Sequence, residues 1–160
     1  MNAIRLVFDQ VLAEAVAAVR REGISVYTFA FYHDHESHAV SVCVDTEESS
    51  KRLVASSNAY HQKYFWPAIE NGDLEHAALW TANPGRSFSL GDFALVNLAR
   101  TDLPRGEIPK DFYVEMVRAL HAKEAEIVAL AQSPASLLFC TSGADDDVAL
   151  TWAARVFLVR

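Results

Sequence analysis

The spacing of apolar residues along the chain predicts its regular elements. From Ile4 to Arg21 they recur every three or four positions, which places them on one face of a helix that ends at Gly23. Two stretches rich in β-branched and aromatic side chains follow, Ile24–Tyr32 and Ala39–Val44, and this composition is typical of strands. The short polar segment between them predicts a hairpin that pairs the two strands antiparallel.

The next part of the chain is predicted to be helical, with one irregular loop. Asp45 or Thr46 can cap a helix over about 47–64, which the Trp66-Pro67 pair interrupts near its end. A short helical turn is expected over 74–79. The stretch 80–87 contains Asn-Pro-Gly, which favours turns, and is predicted to be a loop.

The last part of the chain alternates between the two kinds of element. The apolar run 93–101 suits either period, but Asp92 is a good N-cap and favours a helix. A long helix is expected over about 109–132, followed by a short buried strand over 136–141. The acidic run Asp145-Asp146-Asp147 occupies the place of an N-terminal cap for a final helix. That helix would carry Leu150, Trp152, Ala153 and Val156.

The order of these elements predicts the fold class. No repeat and no linker divides the sequence, so residues 1–160 are expected to form a single α+β domain. Its small, mainly antiparallel sheet contains the hairpin, can include the later strand, and is covered by about four to five helices.

The net charge restricts the kinds of partner that the protein is expected to bind. The 14 Lys and Arg against 21 Asp and Glu give a net charge of −7, which disfavours binding to nucleic acid and to anionic membranes. A basic protein is the partner that this charge suits, since opposite charges raise the rate of encounter. The same charge also serves to keep a protein soluble.

The sequence predicts a cytoplasmic protein. Its first residues run directly into an amphipathic pattern without the features of a signal peptide, and no apolar stretch approaches the length that spans a bilayer. Cys43 and Cys140 each lie inside an apolar stretch and lack CxxC spacing, which favours a reducing compartment.

The hairpin segment His33-Asp34-His35-Glu36-Ser37-His38 is the most tempting chemical feature, because imidazole and carboxylate groups bind zinc. Strand and turn geometry directs neighbouring side chains to opposite faces, and metal sites usually draw ligands from separated segments. A solvated turn is therefore the favoured interpretation. No metal and no other cofactor is predicted.

Two other reactive features have simpler explanations. Asp145, Asp146 and Asp147 lack the ligand spacing of an EF-hand, so helix capping or contact with a basic partner is favoured over cation binding. Cys140 could be drawn as a nucleophile, but no protease or hydrolase motif surrounds it, which favours a core cysteine. No catalytic residue is predicted.

The aromatic residues Tyr60, Tyr64, Phe65, Trp66 and Trp152 are expected to belong mostly to the core. Trp80 differs because it precedes the 80–87 loop, and loops carry function more often than strands do. The residues predicted to contact a partner are Tyr32, Asp34, Glu36, Trp80, Asp145, Asp146 and Asp147.

Three passages carry a resemblance to a known family. They are the segment 26–34 leading to 45–48, Trp80 before its loop, and Asp145–Asp147 with the predicted terminal helix. In this order, over most of the chain, the sequence resembles a bacterial family described only as domain of unknown function 4303. The resemblance implies a compact α+β domain without catalytic residues, similar to immunity proteins encoded beside secreted bacterial toxins.

These observations lead to one preferred hypothesis and two alternatives. The preferred function is a bacterial immunity protein that neutralises a cognate toxin by occluding it, which needs only a complementary surface. A metal-dependent or cysteine hydrolase would use the His33–His38 loop or Cys140. The third possibility is a self-associating regulatory domain.

Overall fold

The computed structural model describes residues 3–154, which form five helices, five strands and two 3-10 turns. The helices are α1 Ala3–Glu22, α2 Glu47–Glu70, α3 Leu74–Ala78, α4 Phe112–His121 and α5 Glu124–Val128. The strands are β1 Thr28–Asp34, β2 Ala39–Asp45, β3 Leu95–Asp102, β4 Leu138–Thr141 and β5 Leu150–Ala153. The 3-10 turns lie at Leu90–Asp92 and Pro134–Ser136.

The strands form one sheet in the order β3-β2-β1-β4-β5. β1 and β4 are parallel, whereas β1–β2, β2–β3 and β4–β5 are antiparallel. The predicted α+β class, the β1–β2 hairpin and the inclusion of the later strand in a mainly antiparallel sheet are therefore confirmed.

One face of the sheet carries most of the core. Phe29 and Phe31 of β1 and alternate residues of β2 pack against α1 and α4. Phe8 of α1 contacts Phe31 and Phe112 edge to face, each at a ring-centroid distance of 5.3 Å. Burial of these large side chains is the main stabilising contribution of this layer.

The opposite face has smaller side chains and a thinner cover. Ala30, Cys43 and Cys140 are buried there beneath Phe93. Arg86 attaches the 80–87 loop to the sheet by donating a hydrogen bond to the carbonyl oxygen of Tyr27, just before β1, at 2.7 Å. No helix supplies the buried residues of this smaller cluster, which leaves the long helix α2 without a broad packing partner in the sheet.

Two predicted helices are strands in the structure. The run 93–101 contains β3, and Asp92 belongs to the preceding 3-10 turn, because pairing with the open edge of β2 decides between the two periods. The prediction of a final helix is also wrong, because Leu150, Trp152 and Ala153 lie in β5, which pairs with β4. Asp145–Asp147 accordingly lie in a hairpin loop and cap no helix. Val156 lies outside the described residues.

Two helix boundaries also differ from expectation. α2 continues past Pro67 to Glu70, whereas the Trp66-Pro67 pair was expected to interrupt it. The predicted 109–132 helix is divided at Ala122 and Lys123 into α4 and α5. The division accompanies burial of the Glu124 carboxylate, which accepts a hydrogen bond from Trp152 Nε1 at 2.8 Å.

Candidate functional site

The helix α2 is the least buried long element of the fold. Thr46 caps its start by accepting a hydrogen bond from Ser49 N. Of its 24 residues only Ser50 and Ala68 are buried, and its main packing partner among the elements is the short helix α3. Helices of globular proteins usually bury a full apolar stripe, so α2 presents an unusual amount of its surface to the outside.

An aromatic surface wraps around the second half of α2 and includes the second residue after α3. We define it by Tyr60, Tyr64, Phe65, Trp66 and Trp80. The exposed fractions of Tyr60, Tyr64 and Trp66 are 50%, 40% and 54%. Trp80 is half-buried and stacks on Tyr64 with a ring-centroid distance of 4.6 Å. Trp and Tyr side chains of this kind are common anchors of protein interfaces.

A groove of about 610 Å³ lies along the side of α2 that carries Trp66. Ala55, Ala59 and Gln62 contribute small or unbranched side chains from successive turns of α2, while Phe65, Trp66 and Trp80 contribute aromatic rings. The loop after Trp80 is attached to α2, since Asn58 accepts from Asn83 N at 2.8 Å and donates to Asn83 O at 3.1 Å. The groove is therefore mainly apolar in its lining and has polar contacts between α2 and the loop at its side.

The α3 region, which packs on α2, combines apolar exposure with negative charge. Leu74 and Leu79 of the α3 region are 75% and 69% exposed. Glu70, Asp73 and Glu75 are the nearby acidic residues in sequence, against the single base Lys63 between Tyr60 and Trp80. This composition suits a partner that offers apolar anchors and basic side chains.

The predicted burial of the aromatic residues is only partly correct. Partial exposure of Trp80 is confirmed, whereas the assignment of Tyr60, Tyr64 and Trp66 to the core is wrong. A signal was present in the sequence, because Tyr60 and Tyr64 lie one turn apart while Trp66 lies on another side of the same helix. Aromatic residues spread around a helix with few other apolar residues cannot all face one core.

A second group of rings lies at the tip of the β1–β2 hairpin. We define the histidine cluster as His33, His35, His38 and Tyr113. The ring centroid of His33 is 4.5 Å from that of His35 and 5.8 Å from that of His38. The Tyr113 hydroxyl is 3.1 Å from His33 Nδ1 and 3.4 Å from His35 Nε2.

The expectation of a solvated turn is wrong for His33. This side chain is only 1% exposed, because it lies on the α4 face of the sheet and packs edge to face on Phe112 at 5.0 Å. Burial and the neighbouring histidines lower the pKa of His33 to about 4. His35 is exposed and His38 is half-buried, as a turn would place them.

The ring nitrogens of His35 and His38 face protein oxygens. His35 Nε2 lies 3.0 Å from Gly143 O, and His35 Nδ1 lies 3.4 Å from an Asp147 carboxylate oxygen. His38 Nε2 lies 3.1 Å from Pro104 O. Over residues 3–154, no three His, Cys, Asp or Glu side chains are arranged to hold a metal ion.

The residues predicted to contact a partner are distributed over two regions. Tyr32 donates to Asn97 Oδ1 at 2.6 Å, and Asp34 accepts from Arg100 at 2.6 Å. Glu36 is exposed at the hairpin tip, and Asp145, Asp146 and Asp147 are exposed in the β4–β5 loop. This loop lies beside the hairpin tip, where Asp147 contacts His35. Trp80 belongs to the aromatic surface instead.

Cys140 lies in the interior of the small face of the sheet. Its side chain is fully buried, and burial raises the pKa of its thiol to about 12. The thiol therefore stays protonated at neutral pH, which agrees with the interpretation of a core cysteine.

Within the part of the chain that the structure describes, none of the helices combines the length and the apolar character needed to cross a bilayer.

Comparison of the chain with protein-family models, curated proteins and solved structures gives no match.

Proposed function

We propose that this protein acts by binding one other protein, and that it is an inhibitor of the immunity type. The observation that carries the proposal is the aromatic surface, in which Tyr60, Tyr64 and Trp66 remain exposed on a helix that buries only two of its residues. Exposed aromatic clusters of this kind mark interaction sites, because their burial against a partner removes a large apolar area from water.

A protein partner fits the shape of the surface better than a small ligand does. Large rings border the groove, and Tyr60, Leu74 and Leu79 are exposed without lining it, so the apolar exposure of this region is not confined to a pocket that a small molecule would fill. The net charge of −7 disfavours nucleic acid and favours a basic protein.

A toxin domain is the partner that we propose. An inhibitor of this type requires no catalytic group, and it works when its surface covers the working region of the toxin or holds it in an inactive state. The resemblance to family 4303 and the acidic charge both support this choice. Basic toxins, such as nucleases, would have the complementary charge.

The test is a binding measurement with the protein encoded next to this chain's gene. Wild type and Trp66→Ala are titrated calorimetrically, with Val114→Ala as a matched control, because Val114 of α4 is 51% exposed but lies outside the aromatic surface. We expect Trp66→Ala to weaken binding at least about tenfold, as anchor residues do, and Val114→Ala to leave it unchanged.

Two results would contradict the proposal. One is the absence of a complex with the neighbouring protein, and the other is a complex that Trp66→Ala and Val114→Ala weaken equally. Light scattering of the free protein tests self-association at the same time. A dimer that Trp66→Ala dissociates would assign the aromatic surface to a second copy of this chain.

A further inference from the structure

The histidine cluster connects four segments that are distant in sequence. His33 is the second-last residue of β1, and its backbone N–H donates to Ser142 Oγ in the β4–β5 loop at 2.7 Å. Tyr113 joins the cluster from the start of α4, and His38 contacts the segment after β3 through Pro104 O. Ser142 in turn donates to Asp147 O at 2.7 Å, which shapes the loop that carries the acidic run.

His33 is the buried centre of these contacts. Its Nδ1 faces the Tyr113 hydroxyl, whereas its Nε2 is buried without a hydrogen-bond partner in the structure. A neutral imidazole tolerates this arrangement at a modest cost, because one nitrogen carries no proton. An imidazolium carries two N–H donors and a charge, and the second donor would be left unpaired inside the protein.

Among residues 3–154, the charged and titratable groups around His33 supply no free counter-ion. Asp34 on β1 is paired with Arg100 of β3 and also accepts from the backbone N–H groups of Glu36 and Ser37. Asp147 on the β4–β5 loop faces His35. The remaining neighbours are His35 and His38 on the turn and Tyr113 on α4, none of which is an anion at neutral or acidic pH.

We propose that the histidine cluster is an acid-sensitive latch, in which protonation of His33 releases the β1–β2 turn from the β4–β5 loop and from the start of α4. Opening lets water reach the imidazolium, which removes the cost of burying it. The segments set free carry Glu36 and the Asp145–Asp147 run, so acid changes the arrangement of the most acidic part of the surface.

The sign of the effect follows from the position of His33. Its pKa is lowered from the ordinary value of 6.5 to about 4, so the open or unfolded chain takes up a proton at higher pH than the closed form does. The contribution of His33 to stability is complete above pH 6.5. It is lost progressively as the pH falls from 6.5 towards 4.

The experiment compares wild type with two substitutions at the centre of the cluster. His33→Phe keeps a ring against Phe112 but cannot titrate, and His33→Gln removes both ring and titration in case the first variant folds poorly. His76→Gln is the matched control, because His76 is exposed on α3. Urea unfolding midpoints are measured between pH 7.5 and 4.5, and histidine ring signals are titrated by NMR.

We expect the stability of wild type and of His76→Gln to fall steeply on acidification. On unfolding, each of these two proteins should take up about one proton more than either His33 variant does. Backbone amide signals of 34–38 and 142–149 should shift together with the His33 ring, while those of α2 stay constant. Parallel pH profiles of wild type and the His33 variants would overturn the latch. So would titration of His33 near pH 6.5 without a change at these amides.

Discussion

The aromatic surface and the histidine cluster both collect rings from several segments, but they differ in what covers them. In the histidine cluster, His33 is 1% exposed and packs on Phe112, and the histidines around it face oxygens of other segments. In the aromatic surface, Trp66 is 54% exposed although it is one of the largest side chains of the protein. Rings that are packed and paired hold the fold together, whereas the uncovered rings are the basis of the binding surface that we propose.

The largest effect on stability is expected from truncating a ring that packs on the histidine cluster. Phe112→Ala removes a fully packed ring that contacts Phe8 and His33, so we expect unfolding free energy to fall by about 3–5 kcal/mol. Urea denaturation followed by circular dichroism measures the loss. A loss below about 1 kcal/mol would mean that the ring contacts around the histidine cluster do not stabilise the fold.

A smaller effect is expected where a predicted contact residue supports the hairpin tip. Asp34→Ala removes the acceptor of Arg100 and of two turn amides, and we expect a loss of about 1–2 kcal/mol at neutral pH. Arg100 lowers the pKa of Asp34 below its ordinary value, so this contribution is present above about pH 4 and lost as the pH falls further.

Glu36→Gln is the matched control for Asp34→Ala, because Glu36 is exposed on the same turn. We expect its unfolding midpoint at neutral pH to equal that of wild type. If Glu36→Gln destabilises the protein as much as Asp34→Ala does, the assignment of Asp34 to a structural role and of Glu36 to the open surface is incorrect.

Of the three truncations Phe112→Ala, Asp34→Ala and Trp66→Ala, the last is expected to change the stability of the free protein least. Since more than half of this side chain is already in water, unfolding free energy should change by no more than about 0.5 kcal/mol. Thermal unfolding of the variant beside wild type measures it. A loss comparable to that of Phe112→Ala would show that the aromatic surface is part of the core.

Local pattern was sufficient where neighbouring residues form the element themselves. The helix α1 has a regular apolar stripe, and the hairpin of β1 and β2 needs only a short turn between two strand-like segments, so both were predictable. The 93–101 run failed because its residues suit either period. The open edge of β2, which is distant in sequence, turned it into β3.

The candidate site shows the same limit. Trp80 could be singled out because it adjoins a loop, but the exposure of Tyr60, Tyr64 and Trp66 depends on how little of α2 rests on the rest of the molecule. The pairing of Asp34 with Arg100, and of Asp147 with His35, joins residues far apart in the chain. Such pairs cannot be chosen from sequence among many alternatives.

The sequence by itself determined the α+β class, the hairpin and the acidic charge, because composition and short-range periodicity are properties of neighbouring residues. Only the tertiary structure decided which rings are covered. Burial depends on contacts between distant segments, and those contacts placed His33 inside the protein while leaving Trp66 on its surface.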